Sequence, residues 1–464
     1  MKNCLSLLFI LSAFSLFAQD ITGTWNGLLK APGAQVPLAI HIVKSGATYT
    51  GTMDSPTQGA TGIPLKTMAF ANGNLIFTLP EAGIQYVGAF ENNAFKGIFS
   101  QGGNTLPLDF SRNEQKVEKP LRPQEPVKPY PYHEEEVTFK NDAAGITLAG
   151  TLTLPKKEGV FPVVILVTGS GPQDRNEELL GHKPFLVLAD HLVRNGIAVL
   201  RYDDRGVGKS TGDFSTATSG DFASDAGAAF SYLKTRKEIN KKKIGLMGHS
   251  EGGIIAPMVA EKNADAAFVV MLAGPGIPGT EQMVLQNYLM GKADGMPEEE
   301  LTKLGTINRK LYDAAISGSD PKAAKAAVRD ILNLEMGPLF ASKGIPQSEI
   351  NNSLEMQAAG LTSPWYIYFL KHNPAAVIEK LKCPILALNG EKDLQVAPTA
   401  NLEAIKRAAE KGGNKRVTVK QLPGLNHLFQ ECTTCLISEY GTLEQTFSPA
   451  ALNEISGWIS KQVK

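Results

Sequence analysis

The stretch IGLMGHSEGG, at residues 244–253, decides the fold of this chain. Its first four residues form a short apolar run that favours a strand, and the residues after it favour a helix. Between them lies a G-x-S-x-G motif centred on Ser250. The motif requires a strand, a sharp turn and a helix in that order, because the serine must be exposed on a strained turn. An ordinary glycine-rich turn is the alternative, and the flanking strand and helix patterns argue against it.

The pattern on either side of this motif alternates between strand and helix. A nearly continuous apolar run at residues 161–168 predicts a strand buried on both faces, and five further strands are predicted at 197–202, 243–247, 267–272, 385–388 and 417–422. Helical stretches separate them, for example at residues 185–195 and 222–235. Such alternation predicts an α/β fold with a mainly parallel sheet that is covered by helices on both faces. At residues 277–376 the rhythm breaks into helix-forming sequence, which predicts a helical cap inserted after a strand.

A serine needs a base to take its proton, and that base needs an acid to orient it. Of the seven histidines, His427 lies in a loop after the last predicted strand. Asp393 follows the strand at residues 385–388. The order Ser, Asp, His is the one found in α/β-hydrolases, so we predict a triad of Ser250, Asp393 and His427. Glu391 is the alternative acid.

The sequence TGSGP, at residues 168–172, follows the first long apolar strand. A developing oxyanion needs backbone N–H donors that are already in place, and glycines let a loop fold around it. We therefore predict an oxyanion hole formed by the amides of Ser170 and Glu251, the residue after the nucleophile. A simple turn is the alternative.

The N-terminal part of the chain has a different pattern. Residues 20–112 alternate apolar and other side chains with period two, between turns rich in Asn and Gly such as residues 72–74. This pattern predicts a small all-β domain, either a sandwich or a barrel. We expect a packing or spacer module in preference to a ligand-binding one. Five prolines between residues 120 and 131 then predict a semi-rigid linker at 113–133, followed by the hydrolase domain at 134–464.

The first 19 residues resemble a signal peptide. A charged start is followed by an apolar run at residues 5–17, which is too short to span a bilayer, and by a small residue at a plausible cleavage point. A buried N-terminal helix is the alternative, but no amphipathic pattern supports it. We therefore expect a soluble protein that is exported to the periplasm or the extracellular space, with no membrane anchor.

Composition narrows the possible partners and cofactors. Lys and Arg number 46, as do Asp and Glu, so the chain has no electrostatic footprint for nucleic acid. Cys432 and Cys435 have CxxC spacing without a second cysteine pair, which favours a local disulfide over structural zinc. The histidines are not clustered at metal-ligand spacing and no dinucleotide or phosphate loop is present. We expect neither a metal nor a cofactor.

Three further segments reinforce the motif at Ser250. They are VLRYDDRGVGKS at residues 199–210, GEKD at 390–393 and NHLF at 426–429. With GHSEGG they resemble the bacterial carboxylesterases and serine aminopeptidase-like hydrolases of the α/β-hydrolase superfamily, whose exported forms often carry an N-terminal β domain. The resemblance covers residue 134 to the C-terminus and implies ester hydrolysis through an acyl-enzyme. A peptidase acting on short peptides is the alternative, and a binding protein with a residual hydrolase is a second one.

Four residues are candidates for contacts with a small acyl ester or a short peptide. Gln173 and His182 follow the predicted oxyanion loop, where a surface ion-pair cluster with Asp174 and Arg175 is an equal alternative. Trp365 and Tyr366 lie near the end of the cap, where aromatic core packing is the competing interpretation. The natural substrate and the oligomeric state are not encoded in any pattern that we recognise.

Overall fold

The computed structural model describes residues 20–31, 34–46, 48–56, 60–101, 104–114, 121–318, 320–342 and 347–464. The predicted signal peptide at residues 1–19 lies outside these ranges. The chain divides into two compact units, Met1–Lys119 and Pro120–Lys464.

The first unit is a single antiparallel sheet of nine strands. Its strands are β1 Gly23–Ala31, β2 Ala34–Ser45, β3 Thr48–Ser55, β4 Ala60–Pro64, β5 Thr67–Ala71, β6 Asn74–Leu79, β7 Ile84–Glu91, β8 Ala94–Gln101 and β9 Asn104–Ser111. The order in the sheet is β4-β3-β2-β1-β9-β8-β7-β6-β5. Asn72 and Gly73 both have positive φ between β5 and β6, as the tight hairpin predicted there requires. The sheet forms a half-barrel around buried aromatic side chains such as Trp25, Phe77 and Phe95.

The second unit contains an eight-stranded sheet. Its strands are β10 His133–Asn141, β11 Ile146–Leu154, β12 Phe161–Val167, β13 Ala198–Tyr202, β14 Ile239–His249, β15 Val269–Leu272, β16 Ile385–Gly390 and β17 Val417–Leu422. The order is β10-β11-β13-β12-β14-β15-β16-β17, and the six strands β12 to β17 run parallel. Because parallel strands end at the same edge, the loops after β12, β14, β16 and β17 come together there.

Helices cover both faces of this sheet. α1 (Pro184–Arg194) and α13 (Pro449–Gln462) lie on one face, while α2 (Ser219–Thr235), α3 (Gly252–Lys262) and α11 (Pro398–Lys411) lie on the other. In β12, Val163, Ile165 and Val167 belong to one apolar core, and Val164 and Leu166 belong to the other. A strand buried on both faces reads as a continuous apolar run, which is how the sequence predicted it.

A helical insertion separates β15 from β16. It consists of α4 Gly279–Ala293, α5 Glu298–Ser317, α6 Pro321–Glu335, α7 Gly337–Ser342, α8 Gln347–Leu361, α9 Pro364–Lys371 and α10 Pro374–Ile378. It has its own apolar core, which includes Leu311, Val328 and Leu354. A short helix, α12 (Ile437–Tyr440), completes the set. The predicted fold class, an α/β-hydrolase fold with a helical cap after an all-β domain, is confirmed.

The proline-rich segment differs from a free spacer along its described part. The Arg122 guanidinium donates to the carbonyl oxygens of Leu443 at 2.6 Å and of Gly441 at 2.8 Å. The Gln124 amide donates to the carbonyl oxygen of Phe447 at 2.6 Å. Composition predicts an extended backbone here but carries no information about these tertiary contacts. The segment from residue 121 onward is therefore bound to the second unit.

Cys432 and Cys435 form a disulfide, and Cys383 is the free cysteine among the described residues. Across the same residues, no helix has the length and apolar character needed to cross a membrane.

Candidate active site

Ser250 occupies a strained turn between the end of β14 and the start of α3. Its φ is +52°, which a residue with a side chain rarely adopts. A Cβ on Gly248 would lie 1.8 Å from the carbonyl oxygen of Gly252, and a Cβ on Gly252 would lie 2.1 Å from the carbonyl oxygen of Val167. Only glycine fits at either position. The G-x-S-x-G motif thus produces the exposed-nucleophile turn that its spacing predicts.

His427 and Asp393 face each other across two loops at the same sheet edge. His427 Nδ1 lies 2.8 Å from Asp393 Oδ2, and both side chains are buried. The other carboxylate oxygen of Asp393 accepts the amides of Gln395 at 2.8 Å and Val396 at 2.9 Å. Since a carboxylate accepts, Nδ1 carries the hydrogen and Nε2 is left as the basic nitrogen.

Glu391, the alternative acid, points elsewhere. Its Oε2 accepts the amide of Gly424 at 2.9 Å, and its side chain is exposed. The geometry therefore pairs His427 with Asp393.

The ring of His427 lies beside the nucleophile turn. Its centroid is 4.9 Å from that of His249, the residue before Ser250. Within the described residues, no hydrogen bond joins Ser250 to His427. Hydrogen bonds between a nucleophile and its base frequently form only when substrate binds, so this geometry is compatible with His427 as the base.

The predicted oxyanion donors lie on either side of Ser250. A Cβ on Gly169 would be 3.3 Å from Ser250 Cβ, so the loop after β12 is in contact with the nucleophile. Over the described ranges, the amides of Ser170 and Glu251 have no protein acceptor. Glu251 occupies the N-cap position of α3, where the helix dipole favours negative charge. This arrangement can stabilise an oxyanion.

A cavity of about 110 Å³ opens onto these groups. It contains Ser170, Ser250 and Glu251 and is roofed by α4 and α9 of the cap; its other lining residues are Pro275, Gln282, Met283, Gln286, Trp365, Phe369, Gln395 and Val396. Two larger cavities exist, one of about 570 Å³ bordered by charged residues and one of about 610 Å³ inside the β unit. Neither of them contains any predicted catalytic residue.

Of the four residues predicted to contact substrate, Trp365 lines the cavity. Its indole Nε1 donates to Glu251 Oε1 at 2.8 Å, and the Ser219 hydroxyl donates to the same oxygen at 2.6 Å. Burial raises the pKa of Glu251. The Glu251 carboxyl group thus links the nucleophile turn to α9 of the cap, a contact that no sequence pattern predicted.

The other three residues do not line that cavity. Tyr366 packs against Tyr312, and Gln173 Nε2 donates to the carbonyl oxygen of Ser170 at 3.2 Å. His182 is fully buried, with Nδ1 2.9 Å from Thr446 Oγ1 and Nε2 2.9 Å from the carbonyl oxygen of Tyr440. Burial lowers the pKa of His182 to about 4. His182 therefore joins loops in the interior.

The DDRG segment, at residues 203–206, positions the oxyanion loop. Asp204 accepts the hydroxyl of Thr168 at 2.8 Å and the amide of Gln173 at 3.0 Å, so it spans the loop from both ends. Burial raises the pKa of Asp204 to about 8. Its neighbour Asp203 makes a two-pronged ion pair with Arg175, at 2.9 and 2.8 Å. In the segment after the oxyanion loop, Arg175 therefore belongs to an ion pair, which was the alternative to a substrate contact.

A second buried network lies beneath the loop. Glu177 Oε1 accepts the amide of Gly169 at 2.7 Å and lies 3.0 Å from His249 Nδ1. The other nitrogen of His249 lies 3.0 Å from the carbonyl oxygen of His427. Sequence reasoning missed both residues, because Glu177 lies in a segment without periodicity and His249 occupies a variable position of the motif.

No group of three or more His, Cys, Asp or Glu within the described part of the chain is arranged to hold a metal ion.

Comparison with known proteins finds one family model and two similar sequences. Residues 183–345 match the sequence model of the family described as serine aminopeptidase, S33. Esterase EstD of Thermotoga maritima is 28% identical over 305 residues, 65% of this chain and 61% of the relative, so the match spans about three-fifths of EstD. Polyketide transferase grgF of a Penicillium species is 26% identical over 256 residues, 52% of this chain and 77% of the relative.

Solved structures of similar fold include an esterase of Pyrococcus furiosus. That chain is 15% identical, with a TM-score of 0.43, and the alignment covers 75% of this chain and 100% of the other. The sheet order and the strained G-x-S-x-G turn lead to one conclusion: the second unit has the α/β-hydrolase fold.

Proposed function

We propose that this protein is an exported serine hydrolase that cleaves carboxylic esters through an acyl-enzyme. The observation that carries the proposal is the buried His427–Asp393 pair beside the strained turn of Ser250. The similarity to a protein described as an esterase supports the choice of an ester as substrate. The groups that carry the reaction lie at one edge of the sheet.

The reaction begins when Ser250 Oγ attacks the ester carbonyl carbon and His427 Nε2 takes the hydroxyl proton. Asp393 stabilises the imidazolium that forms, because its Oδ2 accepts the Nδ1 hydrogen at 2.8 Å. The amides of Ser170 and Glu251 hold the negative oxygen of the tetrahedral intermediate. Collapse of that intermediate transfers the proton from His427 to the departing alkoxide and leaves an acyl-serine. Water then attacks the acyl-serine with His427 again as base, and collapse of the second tetrahedral intermediate releases the carboxylic acid while His427 returns the proton to Ser250 Oγ.

The cavity limits the size of the acyl group. About 110 Å³ lies between Ser250 and the cap, and Met283, Trp365 and Phe369 form the apolar part of its wall. Since these side chains come from packed cap helices, a long acyl chain would have to displace them. The proposed substrates are therefore esters of short acyl chains, with the alcohol part directed away from the cap.

A peptidase or aminopeptidase acting on short peptides is a second candidate, which the S33 family match favours. The same nucleophile, base and oxyanion donors serve amide hydrolysis. What differs is the need to protonate a poor amine leaving group and to bind the rest of the peptide.

Export is part of the proposal. The charged start and apolar run of residues 1–19 support it, and so does the disulfide between Cys432 and Cys435, since disulfides persist in oxidising compartments. Expression in a bacterium followed by N-terminal sequencing of the periplasmic or secreted protein tests this part. Recovery of the uncleaved chain from the cytosol alone would contradict it.

Substrate class is tested by one panel of substrates. The purified protein is assayed with nitrophenyl esters from acetyl to palmitoyl, and with aminoacyl and dipeptidyl nitroanilides. We expect the highest kcat/KM on the shortest acyl esters, falling steeply along the series. Higher kcat/KM on an aminoacyl or peptidyl amide than on every ester would establish the peptidase instead.

A further inference from the structure

His249 stands in unusual surroundings for a buried histidine. Its Nε2 faces the carbonyl oxygen of His427 at 3.0 Å, and its Nδ1 faces Oε1 of Glu177 at 3.0 Å. A backbone carbonyl oxygen accepts hydrogen bonds and never donates them. Nε2 must therefore carry a hydrogen, and the charge of the ring depends on Nδ1.

Glu177 settles the state of Nδ1. The same Oε1 that faces His249 also accepts the amide hydrogen of Gly169 at 2.7 Å, and hydrogen bonds from N–H donors favour a charged carboxylate. With a carboxylate on one side and a carbonyl on the other, the imidazole satisfies both partners only when both nitrogens carry hydrogens. That species is the imidazolium cation.

The backbone of Glu177 gives an independent indication. Its φ is +52°, and a residue other than glycine holds such a conformation only where the surroundings fix it. Here the fixed element is the carboxylate itself, which is 3% exposed and bonded on two sides. Strain of this kind is concentrated at functional sites.

The charged groups around His249 favour its cationic form. Burial by itself would lower the pKa of His249, but the Glu177 carboxylate, the carbonyl of His427 and the more distant Asp393 outweigh it, so the pKa is raised. The remaining titratable groups that face the pair are the ring of His427 and the buried carboxyl of Asp204. None of these is a second fixed cation that would oppose the charge.

We propose that His249 is a positioning residue that remains cationic at neutral pH, and that its ion pair with Glu177 locks three loops together. The pair binds the amide of Gly169 in the oxyanion loop, the nucleophile turn through His249 itself, and the carbonyl of His427. The inference rests on the proposed hydrolase function for its kinetic consequence only. Loss of the ion pair would release the oxyanion loop and the backbone of His427 together, which should slow the chemical step more than it weakens substrate binding.

The charge of His249 is tested first, in the full chain and without any variant. Nitrogen-15 NMR of histidine-labelled protein distinguishes singly from doubly protonated rings. We expect the His249 ring to be doubly protonated across the neutral range, while buried His182 has one ring hydrogen. His182 is the internal control, because its ring faces a hydroxyl, a carbonyl and the Gln430 amide but no carboxylate. A singly protonated His249 at neutral pH overturns the inference, whether or not the protein hydrolyses esters.

The kinetic consequence is tested with a double variant, Glu177→Gln with His249→Gln. The two amides can hydrogen-bond to each other and to the same backbone groups, but the charges are gone. Because the charged pair no longer fixes the oxyanion loop and the backbone of His427, kcat should fall roughly tenfold or more while KM changes less than about twofold. A melting curve checks that the variant is folded.

His191→Gln is the matched control, since His191 lies on α1 and its ring bonds to Ser456 Oγ at 2.9 Å without a carboxylate. It should leave both kcat and KM unchanged. A folded double variant whose kcat equals that of the wild type, or whose loss lies in KM alone, overturns the positioning role. Absence of ester turnover in the wild type counts against the proposed function alone, because the NMR measurement remains valid.

Discussion

At the scale of single residues, the account depends on which carboxylate orients His427. Asp393 and Glu391 lie two positions apart in one loop, yet one side chain is buried against the imidazole and the other is exposed against a backbone amide. Because the two residues are close in sequence but lie in different environments, substitution of Glu391 is a control for substitution of Asp393.

We predict that Asp393→Asn lowers kcat by roughly 10³- to 10⁴-fold, because the amide favours the wrong tautomer of His427. Glu391→Gln removes an exposed charge and should lower kcat less than about threefold. Steady-state kinetics on a short acyl ester, with circular dichroism to check folding, measures both. If Glu391→Gln proves the more damaging change, Glu391 is the triad acid.

Much of the site could be predicted from the sequence, because its parts lie at strand ends with local signatures. Ser250 is marked by glycines whose absence of a side chain the turn requires, and Asp393 and His427 each follow a segment with a strand pattern. Glu177 had no such mark, since its function depends on contacts with Gly169 and His249 that no local pattern encodes. His182 follows the oxyanion loop in the sequence, which suggested a substrate contact, but its ring is hydrogen-bonded within the interior.

At the scale of elements, the nucleophile turn and the cap set activity and specificity. The turn is held by backbone contacts so close that no side chain fits beneath it. The cap helices α4 and α9 reach the same serine from above. Each of them leads to a prediction.

Gly248→Ala should disrupt the turn, because the new Cβ would lie 1.8 Å from a backbone oxygen. We expect a loss of about 2 kcal/mol or more in the free energy of unfolding and loss of ester turnover. Gly227→Ala on α2 is the control, since a Cβ there meets nothing within 4 Å and alanine is the better helix former. Denaturant titration of both variants measures the difference. Equal stability of the two would show that the turn tolerates a side chain.

Met283→Ala should enlarge the space under the cap. Because Met283 lines the cavity, its truncation should raise the ratio of kcat/KM for a hexanoyl ester to that for an acetyl ester roughly tenfold. Met356→Ala on α8 is the control, since that side chain is 72% exposed. An unchanged ratio in Met283→Ala would mean that the acyl group binds elsewhere.

At the scale of the whole molecule, all the proposed catalytic residues belong to the second unit. Composition suggested that the proline-rich segment is a spacer, yet Arg122 and Gln124 are bonded to loops near the C-terminus. The proline pattern predicts backbone conformation but not the carbonyl oxygens that the segment meets. The boundary of the catalytic unit is therefore set by these contacts.

We predict that a fragment beginning at residue 121 is soluble and keeps most activity on a short acyl ester. A fragment beginning at Tyr132 lacks the bonds of Arg122 and Gln124 and should be less stable by roughly 2–4 kcal/mol. Thermal unfolding and kinetics of the two fragments beside the full chain test this. If the longer fragment is folded but inactive, the β unit contributes to the active site.

The central claim is that Ser250 carries the covalent step, and one measurement tests it most directly. The wild type and Ser250→Ala are treated with a fluorophosphonate and the modified peptide is identified by mass spectrometry. The account predicts a single adduct on Ser250 in the wild type, no adduct in a folded Ser250→Ala, and a loss of ester turnover of about 10⁴-fold or more in that variant. An adduct on another serine, or near-normal turnover by Ser250→Ala, would contradict it.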